Sequence, residues 1–234
     1  MKAGRSGPRS EATVYWASAI DPSWLPRSRQ TLLTFDPESE RVKAIEQEHF
    51  NGLVLEQRPA PLPKDGSVAE LLFEKAIASI DRILSINPET EQYLQRLGWL
   101  AKRRPELDLP SLDKQYFEDL LRQECLDKRS FDELRATDWG SQIRAELNWN
   151  QQQQIKELAP ERLQVPSGSR IRLDYSRDDT PVLKVRIQEL FGLKSTPTID
   201  GGRFPVLLHL LAPNQRPQQI TTDLSSFWSG SYQE

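Results

Sequence analysis

The side chains able to bind a metal or attack a substrate are few and scattered. The chain holds two histidines, His49 and His209, and one cysteine, Cys125. A zinc site wants about four ligands at close spacing, and these three stand far apart in sequence. His209 sits in the apolar run Leu207-Leu208-His209-Leu210 and reads as a hydrogen-bonded core or edge histidine ahead of a ligand or base. Cys125 reads as a small packing residue on a helix, with no catalytic neighbour. The carboxylate pairs Asp178-Asp179 and Glu118-Asp119 lie in polar surroundings, whereas general acid–base work needs carboxyls at a fixed gap with one pKa raised by burial. The nearest string to a phosphate loop is Gly192-Leu193-Lys194-Ser195. A P-loop requires Gly-x-x-x-x-Gly-Lys-Ser/Thr; here a leucine parts glycine from lysine, and the upstream glycine is missing. No Asp-Glu-x-His box follows any strand. The chain is therefore expected to have no catalytic residues, no metal ligands and no cofactor of its own.

What remains is charge. The whole chain is acidic, with 31 Lys/Arg against 34 Asp/Glu and a formal net charge of −3. Between Arg162 and Ile220 the balance reverses: nine Lys/Arg face five Asp/Glu. Arg170, Arg172, Lys184, Arg186, Lys194, Arg203 and Arg216 are the candidate nucleic-acid-binding residues of that stretch, since a phosphate backbone asks for cations on a fixed scaffold and little else. A solvated sheet face with scattered cations is the competing reading. Lys102-Arg103-Arg104 ends a helix, where cations favour the macrodipole in any case. Six tryptophans could stack on bases, but Trp16, Trp24, Trp99, Trp139 and Trp228 are spread out and read mostly as core. Trp149, between Asn148 and Asn150, is the least settled of them.

The elements that must hold these residues fall into segments. Residues 1–12 read as a flexible, basic tail without the apolar stretch of a secretory signal. Residues 13–63 form a β segment: a strand over Thr13–Ser18, a turn carrying Trp24 after Asp21-Pro22, then a three-stranded meander. Its strands are Gln30–Phe35, Arg41–Phe50 and Leu53–Gln57, the last two flanking the hairpin signal Asn51-Gly52. Pro59, Pro61 and Pro63 make a linker. Residues 64–160 are helical. Ser67 with Glu70, and Ser130 with Glu133, look like capping boxes. Further helices end at Pro105 and start near Ser111, and a last one carries Ile143, Leu147, Ile155 and Leu158. Gln151–Gln154 reads as a solvated helix face. Residues 161–234 are mixed α/β. Alternation from Arg170 to Tyr175 turns Ile171, Leu173 and Tyr175 inward and both arginines outward. Thr180-Pro181 and Gly192 bracket an expected helix, although Val182, Val185 and Ile187 argue for a strand. Val206–Leu211 and Gln218–Thr221 are strands, and Asp223 caps a final helix bearing Phe227 and Trp228.

The fold class is α+β. Hydrophobic residues make up 37 % of the chain, below the usual value of roughly 45–50 %, and no apolar run nears the roughly 18 residues a bilayer span needs. One cysteine cannot form an internal disulfide, which fits a reducing compartment; the expected location is cytoplasmic, with no membrane partner.

Four motifs in one order make the chain resemble a known family. They are Val165-Pro166-Ser167-Gly168-Ser169-Arg170, Gln188-Glu189-Leu190-Phe191-Gly192, Leu210-Leu211-Ala212-Pro213-Asn214-Gln215-Arg216-Pro217 and Thr222-Asp223-Leu224-Ser225-Ser226-Phe227-Trp228. Together they resemble the C-terminal region of the HrpB family of bacterial DEAH/DExH ATP-dependent helicases. Residues 13–160 match more loosely, through Ala17 to Leu25 and the hairpin ending Leu53-Val54-Leu55-Glu56. The resemblance implies an OB-like β segment at the start. It implies partners in the helicase motor domains, on the same or a separate chain, and in single-stranded RNA or DNA. ATP and magnesium would belong to the motor domains, which nothing here resembles. An accessory nucleic-acid-binding module is the reading that follows, with a protein-interaction module that docks on a separate motor subunit or another partner as the alternative.

Overall fold

A computed structural model describes residues 17–19, 21, 24–177 and 180–230. Two compact units divide the chain: Met1–Thr34 with Lys43–Pro63, and Phe35–Val42 with Lys64–Glu234.

The first unit is built on an antiparallel meander of β1 (Ser28–Asp36), β2 (Arg41–Phe50) and β3 (Leu53–Ala60), in that order. Asn51 and Gly52 turn the β2–β3 hairpin with φ of 45° and 83°, the paired left-handed geometry that makes Asn-Gly the favoured two-residue turn. The register sets Glu46 opposite Arg58, and the Arg58 guanidinium closes to 2.6 Å on that carboxylate, a cross-strand pair of the kind that supports sheets. Pro59 pairs with Ile45 inside β3 and is not part of a linker; β3 is an edge strand, where a missing N–H is tolerated. Leu53, Val54 and Leu55 are all exposed. Of the strand expected over Thr13–Ser18, residues 13–16 lie outside the described residues, and Ala17 and Ser18 have no regular structure.

The second unit takes the β1–β2 turn. Val42 N–H donates to Arg129 C=O at 2.9 Å and Phe131 N–H donates to Glu40 C=O at 3.0 Å. Arg135 pairs with Glu40 at 2.6 Å, and the Phe35 and Phe131 rings lie 4.9 Å apart. The helices are α1 (Ser67–Ile77), α2 (Ile80–Ile83), α3 (Pro88–Arg103), α4 (Lys114–Glu124), α5 (Phe131–Arg135), α6 (Trp139–Ala145) and α7 (Trp149–Leu158). Their caps correct the expected ones. Gly66, at φ 85°, is the N-cap of α1, and Ser67 makes no side-chain cap; Asp65 instead accepts the Ser67 N–H and hydroxyl. Ser130 accepts the Glu133 N–H, but Glu133 reaches back to the Arg129 N–H rather than to Ser130. The complete capping box is Asn148 with Gln151 at the start of α7. It splits the single helix expected around Ile143 and Ile155 into α6 and α7, because an N-cap residue has non-helical backbone angles. Leu72, Leu97, Leu100, Leu121, Leu134, Trp139, Ile143 and Ile155 are buried, each contributing about 1.5–3 kcal/mol by leaving water.

A five-stranded mixed sheet completes the unit, in the order β10 (Pro217–Thr221), β9 (Leu207–Leu211), β6 (Val182–Arg186), β5 (Arg170–Asp174), β4 (Arg162–Gln164). Only β6 and β9 run parallel. The helix expected between Thr180 and Gly192 is strand β6 followed by a 3-10 turn over Ile187–Leu190. Val182, Leu183 and Val185 are buried between two neighbouring strands, and pairing on both edges overrides the helical punctuation. The crossover from β6 to β9 carries the small hairpin of β7 (Thr198–Ile199) and β8 (Phe204–Pro205). Asp223 caps the last helix, α8 (Leu224–Ser229), as its sequence implies.

Candidate nucleic-acid interface

Strand alternation sorts the sheet into two faces. Ile171, Leu173, Leu183, Val185, Leu208 and Leu210 point to one, and most of them are fully buried. Arg170, Arg172 and Asp174 of β5 share the other with Lys184 and Arg186 of β6; all four cations are exposed. The Lys184 ammonium lies 3.1 Å from the Asp174 carboxylate, across the two strands. The register adds Arg162 opposite Arg172 and Gln164 opposite Arg170. His209 of β9 is aligned with Lys184 on the same face. Burial, then the Arg177 and Lys184 cations, holds its imidazole below the ordinary value. Its Nε2 has no hydrogen-bond partner among the described residues, contrary to a satisfied core histidine.

Of the seven cations singled out in the sequence, Arg170, Arg172, Lys184 and Arg186 therefore stand on one sheet face. Arg216 lies in the β9–β10 turn, at the sheet end where β5 begins and β6 finishes. Lys194, beyond the 3-10 turn, and Arg203, in the β7–β8 turn, lie outside the five-stranded sheet. Cys125 is buried, and burial pushes its thiol up to about 12. Glu118 is engaged by Lys114 at 3.1 Å, and Asp178-Asp179 lie outside the described residues. Lys102-Arg103-Arg104 is more than a helix end: the Arg103 guanidinium sits 4.7 Å over the Trp99 ring, and Arg104 holds the fully buried Asp200 at 2.8 Å. Trp99 and Trp139 are buried, whereas Trp24 and Trp149 are 74 % and 72 % exposed; Trp16 lies outside the described residues.

The sheet's cations do not act alone. Arg162 and Arg170 line a groove of about 480 Å³ with Tyr93, Arg96, Arg144, Gln152, Lys156 and Glu161. Five cations thus face one carboxylate. Arg96 is committed to structure: its guanidinium donates to the Ala159 and Ile155 carbonyls at 2.7 and 3.4 Å, satisfying acceptors that the end of α7 leaves open. Arg144 stacks 4.8 Å over the Tyr93 ring. Glu161 is shared, 3.7 Å from Arg162 and 3.9 Å from Arg172, and Arg172 is also tied to the Gln92 side chain. The Lys156 ammonium and the Arg170 guanidinium make no ion pair or hydrogen bond among the described residues. The sequence marked only Arg170 of this groove as a ligand, because the other groove cations come from three helices and from β4. Among the described residues, no group of three His, Cys, Asp or Glu is placed to hold a metal, and no helix is long and apolar enough to cross a membrane.

The comparisons with known proteins agree with this architecture. The family profile described as ATP-dependent helicase C-terminal matches residues 120–234. The ATP-dependent RNA helicase HrpB of Escherichia coli (strain K12) is 35 % identical over 197 residues, covering 82 % of this chain and 24 % of that protein. The crystal structure of the E. coli DExH-box NTPase HrpB superposes with a TM-score of 0.66 at 32 % identity, covering 88 % of this chain and 26 % of that one. A second crystal structure, described as the E. coli DEAH/RHA helicase HrpB, gives a TM-score of 0.64 at 32 % identity over 93 % of this chain and 28 % of that one. The chain spans about a quarter of the length of the relatives it matches. With the matched profile, a relative 35 % identical and the superposed fold in agreement, the chain belongs to the HrpB family of ATP-dependent helicases, as its C-terminal region.

Proposed function

We propose that this chain is an accessory module that holds a single nucleic-acid strand for a helicase motor and has no ATPase activity of its own. The observation that carries it is the groove between β4–β5 and the helices, where Lys156 and Arg170 are unpaired among the described residues and Glu161 is the one carboxylate in the lining. Unpaired cations on fixed elements attract a phosphate backbone without base-specific geometry. RNA is the favoured ligand, since the E. coli relative is named an RNA helicase. ATP and magnesium are assigned to the motor domains of such helicases, because no string in this chain meets the P-loop pattern. Fluorescence anisotropy with a labelled single-stranded RNA, and a DNA of the same sequence, tests the reading. Binding at low salt that weakens as salt rises is expected; absence of binding at low salt, or indifference to salt, refutes it.

A second reading rests on β3. Leu53, Val54 and Leu55 are exposed in succession, and successive strand residues point to opposite faces, so neither face of this strand end is covered. That favours docking of the strand on the motor of a HrpB-type helicase. The two roles are compatible.

A further inference from the structure

We propose that Trp149 is a stacking platform for a base of the strand held in the cationic groove; this rests on the groove's assignment to single-stranded nucleic acid. Trp149 is the first residue of α7 and 72 % exposed. Its indole makes no ring contact and no hydrogen bond among the described residues. The backbone beneath it is firmly held. Asn148 and Gln151 cap each other's N–H groups, and the Gln151 amide also donates to Asp108 C=O at 2.8 Å. The Gln152 amide donates to the Arg144 and Leu147 carbonyls, both at 3.0 Å.

Helical spacing sets Trp149, Gln152 and Lys156 along one side of α7. Gln152 and Lys156 line the groove, and Trp149 stands about 10 Å from Lys156 along the axis. A strand with phosphates on Arg170 and Lys156 is thereby led past the indole. The surroundings select the ligand class. A tryptophan that anchors a protein partner sits within an apolar patch, whereas Asn148, Asn150, Gln152 and Lys156 around this one are polar. A nucleobase is flat, carries its charge on the backbone and needs only a π-face.

The test uses the whole chain with Trp149→Ala and Trp149→Phe, a labelled oligouridylate, and an abasic ribose-phosphate strand of equal length and charge. Trp149→Ala is expected to weaken oligouridylate binding about tenfold, to leave its salt dependence unchanged, and to leave abasic-strand binding untouched. Trp149→Phe should retain most of the affinity, and thermal midpoints should match the wild type. Equal losses on both strands, or no loss on either, overturn the stacking assignment while leaving the groove intact. A wild-type chain that binds neither strand overturns the groove and the platform together.

Discussion

Replacing both Lys156 and Arg170 by alanine should change how binding responds to salt more than it changes any other property. Three of the five groove cations are exposed: Lys156 and Arg170, unpaired among the described residues, and Arg162, which shares Glu161 at 3.7 Å and donates to the Arg170 C=O at 3.3 Å. Each phosphate neutralised on a single strand contributes about −0.7 to the slope of log K against log salt, so three contacts give about −2, and affinity falls about 20-fold between about 50 and 200 mM salt. The double variant keeps one such contact, and its slope of about −0.7 corresponds to about a threefold fall over the same range. Neither side chain is buried or bonded within the described fold, so the urea midpoint should stay within the ±0.5 kcal/mol usual for surface changes. Anisotropy titrations at several salt concentrations measure the slope directly. A double variant that keeps the wild-type slope would falsify the assignment of these two cations to phosphate contacts, whatever its affinity at one salt.

Gly140→Ala should destabilise the chain by about 1–3 kcal/mol in urea unfolding, as overpacking does, because an added Cβ on α6 would collide with the side chain of the buried Thr90 of α3. Asp200→Ala should lower the thermal midpoint by taking from Arg104 its buried partner and leaving it only Glu106 at 2.7 Å, and adding Arg104→Met should recover part of the loss, since removing one partner of a buried pair costs more than replacing both. Hydrogen bonds from Ser176, with the Lys184 ammonium, hold the Asp174 carboxyl down to about 2, against about 3.9 in an unfolded chain. Its stabilising contribution is therefore complete above about pH 4 and lost as pH falls toward 2; Asp174→Asn should flatten the acid limb of the unfolding midpoint in that window. Leu55→Glu should abolish co-purification with a HrpB-type motor while sparing RNA affinity, and loss of both together would count against two separate surfaces.

Much of the scaffold was legible because its signals are local. Asn51-Gly52 turns a hairpin through its own backbone preferences, and the alternation over Arg170–Asp174 turns both arginines to the exposed face with no knowledge of the neighbours. Asp223 caps a helix for the same reason: its side-chain oxygen accepts the N–H three residues on. Local signals also misled. Thr180-Pro181 and Gly192 do punctuate the chain, and Gly192 has the positive φ of 91° that a helix-ending glycine would have. Between them, though, Val182–Arg186 is claimed by β5 on one edge and by β9 on the other, and the β9 pairing depends on residues more than twenty positions away. The groove was hidden by the same non-locality. Arg96, Arg144 and Lys156 lie on three helices and carry no mark in sequence that distinguishes them from solvated cations. Trp149 was visible only as an anomaly, an indole flanked by two asparagines; Asn148-x-x-Gln151 was a readable capping pattern that would have placed it at the head of a helix.

The route of the chain between its two units has a biochemical consequence. Phe35–Val42, which spans the end of β1, the turn and the start of β2, belongs to the second unit and is clasped there by Arg129, Phe131 and Arg135. A protease that cuts the Pro61–Asp65 connection therefore makes a nick without a release: the amino-terminal piece is still gripped through Phe35, Glu40 and Val42, and the two fragments should travel together on a sizing column until a denaturant parts them.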